Sequence, residues 1–260
     1  MILWDFVLPS ILGLPYASNA KTETSGSIPE VPSDLKLISQ YETGSPCLSA
    51  CFDTLSGDLL LGCIDGMKIV KKYEVREETH DKRAEVAVHK GDVFIAEHKN
   101  DKVINVMSYK RENREDEVLF SFPMESGYSA HVSVSDEYVA CVDSDTKPHT
   151  LKLHNRRDNT VQTIQLPLLT EYIYNIHFLQ DGSLLATGPD DAGKFYLDKY
   201  RISSTKASDG EATASLVWAC QLHMACGIAV SADERLIFVS EFGAKRIYVL
   251  NSIGWYYTYM

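Results

Sequence analysis

Five segments of this chain share one column pattern, and no other feature of the sequence restricts the fold as tightly. They are Cys47 to Asp53 (CLSACFD), Arg83 to His89 (RAEVAVH), Ser129 to Ser135 (SAHVSVS), Ile173 to Leu179 (IYNIHFL) and Ala225 to Ser231 (ACGIAVS). Their fourth positions hold Ala50, Val86, Val132, Ile176 and Ile228, and their sixth hold Phe52, Val88, Val134, Phe178 and Val230, all apolar. Such alternation marks a strand. Between these columns stand the smaller Cys51, Ala87, Ser133 and Ala229, with His177 the exception, as expected where first strands crowd around a common axis.

Each segment opens a longer unit. A turn follows, usually carrying Asp or Gly (Gly57-Asp58, Gly91-Asp92, Asp136, Asp181-Gly182, Asp233), and then a short apolar run ending in a small residue. These second strands are expected over Leu59 to Gly62, Val93 to Ala96, Tyr138 to Ala140, Leu184 to Ala186 and Leu236 to Ser240. Third runs follow at Met67 to Tyr73, Val103 to Tyr109, Thr150 to His154, Phe195 to Ile202 and Ile247 to Asn251. Fourth runs stand at Val118 to Phe122, Val161 to Leu166 and Leu216 to Cys220, with a poor one around Glu74 to Glu78. Units of roughly 35 to 50 residues with four strands each are the size of propeller blades. The expected fold is therefore an all-β propeller of four-stranded antiparallel blades over residues 34–260, with five blades recognisable and six possible. Asp34 to Tyr41 (DLKLISQY) reads as a fourth strand without a blade of its own, and pairing it with the last blade would remove an exposed edge.

The last unit is the sharpest. Gly227 to Ile253 (GIAVSADERLIFVSEFGAKRIYVLNSI) resembles an NHL repeat, and SADERLIFVSEFGAKRIYVL within it also resembles a blade of the strictosidine-synthase and gluconolactonase group. The first resemblance implies a non-catalytic interaction scaffold. The second implies a hydrolase or lactonase holding calcium at the mouth of the central channel. That group usually places Asn just before the Gly-Leu/Ile-Ala run, where this chain has Cys226, a departure that counts against a metal site. No GH...WD signature, RING pattern, B-box pattern, HExxH, GxSxG, Walker loop or Rossmann fingerprint occurs, so no chemistry of those kinds is indicated.

In a propeller, first strands start at the face where the second-to-third and fourth-to-first loops gather. Third residues of the five segments, Ser49, Glu85, His131, Asn175 and Gly227, are expected around the channel mouth. Glu85, His131 and Asn175 are the candidate binding residues, and Glu85, Asn175 and Asp143 the candidate calcium ligands, with Asp190 able to join them. Loops from second to third strands add Asp65, Glu97, Asp101, Asp145, Asp191 and Glu241, which should make this face acidic. With 36 acidic against 25 basic residues, a net charge of -11 and no dense Lys/Arg cluster, the chain suits a protein or basic peptide partner and disfavours nucleic acid. The mixed run Lys110 to Glu117 (KRENREDE) reads as a solvated hairpin tip.

Residues 1–33 are set apart from this pattern. Lys21 to Ser33 reads as a flexible arm. Phe6 to Tyr16 is apolar and Ser18-Asn19-Ala20 resembles a cleavage site, yet Asp5, Pro9, Pro15 and the lack of an early positive charge oppose a secretory signal over residues 1–20. The apolar run is also too short to span a bilayer. The six cysteines show no zinc or CxxC spacing and read as small buried hydrophobes, which favours a cytoplasmic location.

Overall fold

The computed structural model describes residues 47–53, 55–56, 58–63, 66–71, 74–77, 84–100, 103–110, 115–123, 130–143, 150–169, 172–203, 212–231, 233–241, 247–251 and 256–259. The arm and signal-like stretch within residues 1–33 and the strand expected over Asp34 to Tyr41 lie outside them, as do Asp65, Asp101 and Asp145.

Among the described residues, twenty strands form five sheets of four, each built from consecutive strands in antiparallel order. Blade one holds β1 (Cys47–Asp53), β2 (Asp58–Cys63), β3 (Gly66–Lys71) and β4 (Glu74–Glu77). Blade two holds β5 (Ala84–His89), β6 (Asp92–Asn100), β7 (Val103–Lys110) and β8 (Glu115–Pro123). Blade three is β9 (Ala130–Val134), β10 (Tyr138–Asp143), β11 (Thr150–Asn155) and β12 (Val161–Gln165). Blade four is β13 (Asn175–Phe178), β14 (Leu184–Pro189), β15 (Phe195–Ser203) and β16 (Thr213–Leu222), and blade five is β17 (Ala225–Val230), β18 (Leu236–Glu241), β19 (Ile247–Asn251) and β20 (Tyr256–Tyr259). This is the five-bladed propeller that the repeated columns imply.

The fourth place in the last blade is taken by Tyr256–Tyr259, whose Tyr257 stands opposite Val249; the strand expected over Asp34 to Tyr41 lies outside the described residues. The charged run Lys110 to Glu117 sits at a hairpin as expected: Lys110 ends β7 opposite Glu115, and the exposed Glu115 to Glu117 begin β8. Cross-strand pairing on the solvent side accommodates those charges, with Lys110 Nζ 3.9 Å from Glu117 Oε2. Glu97, Asp143 and Glu241, placed in loops by the sequence, lie inside or at the ends of β6, β10 and β18.

Packing between blades explains the apolar columns. First strands meet their successors, β1 on β5, β5 on β9, β9 on β13 and β13 on β17, and so form the inner ring. Four apolar clusters fill the seams. Leu60, Met67 and Ile69 meet Val86 and Ile95 between blades one and two, and Phe94, Val106 and Phe120 meet Val132 and Val139 in the next seam. Leu151 and Ile164 meet Ile176 and Tyr200, and Leu185 and Leu197 meet Ile228, Val239 and Leu250. A blade presents apolar residues on both faces because each face meets a neighbour, which is why the columns run through every unit.

Hydroxyls stitch the inner ring where apolar packing leaves backbone groups unpaired. Val86 N–H donates to Ser49 Oγ at 3.0 Å, Phe178 N–H donates to Ser133 Oγ at 2.8 Å, and Thr187 Oγ1 donates to the Cys226 carbonyl. Ser133→Ala is expected to cost roughly 1–3 kcal/mol, because Phe178 N–H is left buried without its acceptor. Urea unfolding checks this, and an unchanged midpoint would show that the stitch carries no weight. At the opposite end of the ring, Asp136 reaches across the seam to His89 (2.8 Å) and Lys90 (2.5 Å). Those two hydrogen bonds pull its carboxyl down to about 2. Among the described cysteines, Cys63, Cys141 and Cys220 are buried. Among the described residues no helix is long and apolar enough to cross a membrane.

Candidate functional site

The channel mouth lies at the end of the ring where first strands begin and second strands finish. Glu85 is the second residue of β5 and His131 the second of β9, and Asn175 opens β13. The structure brings the first two together: His131 Nδ1 lies 3.9 Å from Glu85 Oε2, with the Glu85 side chain almost wholly enclosed. Asn175 occupies the matching place on the next first strand, opposite Thr187. Gly227 is also drawn in, its N–H donating to Ser240 Oγ at 3.2 Å.

The candidate calcium ligands are less well gathered. Asp143 closes β10 opposite Ala130. Asp190 serves its own turn, where Oδ1 accepts from Ala192 N–H and Lys194 N–H, both at 2.9 Å. The Lys194 amide leads the interactions that hold its carboxyl below the usual range. An aspartate folded onto the next amides is a turn device first. Among the described residues, no three His, Cys, Asp or Glu side chains converge as a cation site requires.

A second constellation at this face escaped the sequence reading. His223 stands in the two-residue connection from β16 to β17, and its Nδ1 lies 2.6 Å from Glu241 Oε1. Tyr248 OH donates to Glu241 Oε2 at 3.0 Å, and the same hydroxyl accepts from His223 N–H at 3.3 Å. The Glu241 carboxylate is fully enclosed while the His223 side chain is 70% exposed. Met224, next in the chain, takes a left-handed φ of +41°. That conformation is unfavourable for a side chain of this kind and is held by the surrounding bonds. The imidazole is therefore fixed at one edge and offered at the other.

At the same end of the ring runs a row of aromatic rings. Tyr172 and Tyr174 precede β13, with ring centroids 6.2 Å apart, and Tyr174 stacks on Phe195 at 5.9 Å and 14°. Phe195 sits opposite Leu222, the residue before His223 in the chain. Both tyrosines stay exposed at 38% and 37%. The signals in the sequence were modest: Tyr172 and Tyr174 flank Ile173, the first residue of the fourth copy, and His223 falls two residues before the Ala225 copy.

Five four-stranded sheets around an inner ring of first strands, with a polar and aromatic mouth at one end, define a β-propeller protein. No protein-family model matches the sequence, and no curated protein matches it. Among solved structures it is similar to TolB from Acinetobacter baumannii, with a TM-score of 0.60 and 8% identity over 82% of this chain and 53% of that one. It is similar to a chain of a nidogen/laminin complex (TM-score 0.57, 8% identity, 80% and 76% of the two chains). The β-propeller domain of Cps50 (Swd1) from Myceliophteria thermophila gives 0.55 and 11% over 84% and 86%. The chain spans about half the length of the TolB structure. At these identities the likeness concerns the fold alone.

Proposed function

We propose that this propeller is a non-catalytic protein-binding scaffold that receives a basic segment of a partner protein at its channel mouth. One observation carries the reading: the buried carboxylates of Glu85, Glu97 and Glu241 gather at the same end of the ring as exposed Tyr172 and Tyr174. Carboxylates held in a low-dielectric rim attract cations more strongly than solvated ones do. Tyrosine offers large contact area at low entropic cost, as interfaces require. The net charge of -11 supplies long-range attraction of the same sign. The NHL-like pattern of Gly227 to Ile253 belongs to the same reading, as does the presence among similar folds of a chain solved in a complex with another protein.

The test is fluorescence anisotropy with the full chain and a labelled dodecapeptide alternating arginine and glycine, against the same peptide with glutamate for arginine. Binding of the basic peptide alone is expected, and it should weaken several-fold as salt rises from about 50 to about 300 mM, as screening demands. Equal binding of the acidic peptide, or no binding of either, would overturn the proposal.

A further inference from the structure

The seam between blades five and one is unlike the other four. First strands of blades one to five meet in sequence, but no described strand of blade five approaches blade one in that way. The side chains record the same break. Of the buried apolar residues described, all but Leu59, Leu61, Cys63 and Val249 belong to the four clusters that fill the other seams. Strand alternation puts these four on the two walls of the break. Leu59, Leu61 and Cys63 alternate with Leu60, which faces blade two, and Val249 stands between Tyr248 and Leu250, which face blade four. Phe238, opposite Val249 and between Ile237 and Val239, lies half-buried on the same wall of blade five. Lys68, opposite Leu61 on the wall of blade one, is only 3% exposed. A lysine is rarely enclosed at an open sheet face, so that wall has a cover, and no described strand packs across it.

We propose that the segment of this chain preceding β1, with Asp34 to Tyr41 (DLKLISQY) as its strand, seats between blades five and one and closes the ring. Tethering favours this occupant over any other. The segment runs into Cys47, the first residue of β1, and so is held at the break at a high effective concentration. Glu42 to Pro46 span about 17 Å when extended, enough for the run to turn back along a blade strand of similar length. Its side chains suit a place with two apolar walls. In an extended chain Leu35 and Leu37 project to one side and Ile38 to the other, so each wall receives an apolar group. The 46 residues before β1 also equal one blade unit in length, which runs to roughly 35 to 50 residues. Seated there, the segment covers Leu61 and Cys63 on one side and Phe238 and Val249 on the other, and no broad apolar face is left to water. The inference is independent of what the channel mouth binds.

The test is photo-cross-linking in the full chain, with p-benzoylphenylalanine in place of Phe238. The replacement keeps an aromatic ring at a half-buried position and should not disturb the blade. A second chain carries the same group in place of Phe120, which packs on Val132 and His154 of blade three and shows that a filled seam cross-links. Digestion after acidic residues releases Leu35 to Glu42 separately from β1, so the attached peptide is identified by mass. The expected product from Phe238 is an intramolecular link to Leu35 to Glu42. A link to β2 or β3 would mean that blade five closes directly on blade one, and a product of twice the chain mass would mean that a second copy fills the break. Either result, a link to any other part of the chain, or no link at all overturns the proposal. Leu37→Asp should lower the yield of the Phe238 product at least severalfold while the Phe120 product persists, and an unchanged yield counts against the proposal. If both products are lost the variant has unfolded, and the link in the parent chain decides.

Discussion

Gly188→Ala is expected to destabilise the protein by roughly 3 kcal/mol or more and to abolish peptide binding at the mouth. Gly188 lies in β14 opposite Tyr196, where the strand passes close to the backbone leading into β13. A Cβ there would overlap the carbonyl oxygen of Tyr172 and come within 3.0 Å of its carbon. The obstacle is backbone, so no rotamer change relieves it. Tyr174 N–H donates to the Thr187 carbonyl at 2.8 Å, and this bond holds the two segments together. Forcing them apart breaks it and displaces the aromatic row. Gly182→Ala is the control: its φ of +77° makes a side chain costly by about 1 kcal/mol, but nothing lies near the added carbon. Urea midpoints of the two variants decide the matter, and equal losses would show that the close approach at Gly188 is unimportant.

The second large effect concerns pH. Asp198 is fully buried in β15, with Oδ2 accepting from Tyr200 OH at 2.7 Å and Oδ1 without a partner. Burial pushes its carboxyl up to about 7, against a smaller opposing pull from the Tyr200 hydroxyl. Because the folded value lies above the unfolded one of 3.8, stability is lost as pH rises from about 4 to about 7. A difference of about three units corresponds to about 4 kcal/mol. His177, on β13 of the same blade, works in the other direction. Desolvation lowers its imidazole from 6.5 to about 4, so stability is lost as pH falls through that window. The ring keeps some solvent contact, which makes about 3 kcal/mol an upper bound. The two slopes oppose each other between about pH 4 and 6.5, and the parent protein should show a nearly level profile there.

Single variants uncover each slope. Asp198→Asn should gain about 2 kcal/mol at pH 8, the relief of a buried charge less the cost of an amide that finds one partner. It should also lose stability on acidification from pH 6.5 to 4, as the opposing slope of Asp198 is gone while the lowered imidazoles of His177 and His154 still take up protons on unfolding. His177→Gln should do the reverse, weakening steadily from pH 4 to 7. Urea titrations at pH 4.5, 6 and 8 provide the readout. Profiles for Asp198→Asn that run parallel to the parent at all three values would refute the assignment.

Much of the fold was legible because its determinants are local. Val132 and Val134, or Ile176 and Phe178, alternate within a few residues, and five copies of one pattern reinforce each other far beyond the strength of one strand. The candidate trio Glu85, His131 and Asn175 was placed by the same columns, since equal positions in repeated units occupy equal places in a ring. The weaker signals failed where local pattern and tertiary need diverge. Glu97 and Glu241 look like loop residues by charge, yet they lie inside β6 and at the end of β18 with their side chains buried.

What lay beyond the sequence is the pairing of residues on different strands. His223 and Glu241 are 18 positions apart and carry no shared motif, and they meet because the β16–β17 connection and the end of β18 reach the same end of the ring. Gly188 falls just past the expected second strand Leu184 to Ala186; its necessity appears only when β14 is laid against the chain entering β13. Periodicity along one strand thus dictated the blade, its face pattern and its repetition. Register between strands and the angle between blades selected which polar groups meet, because hydrogen bonding depends on distances of a few ångströms that no one-dimensional spacing encodes.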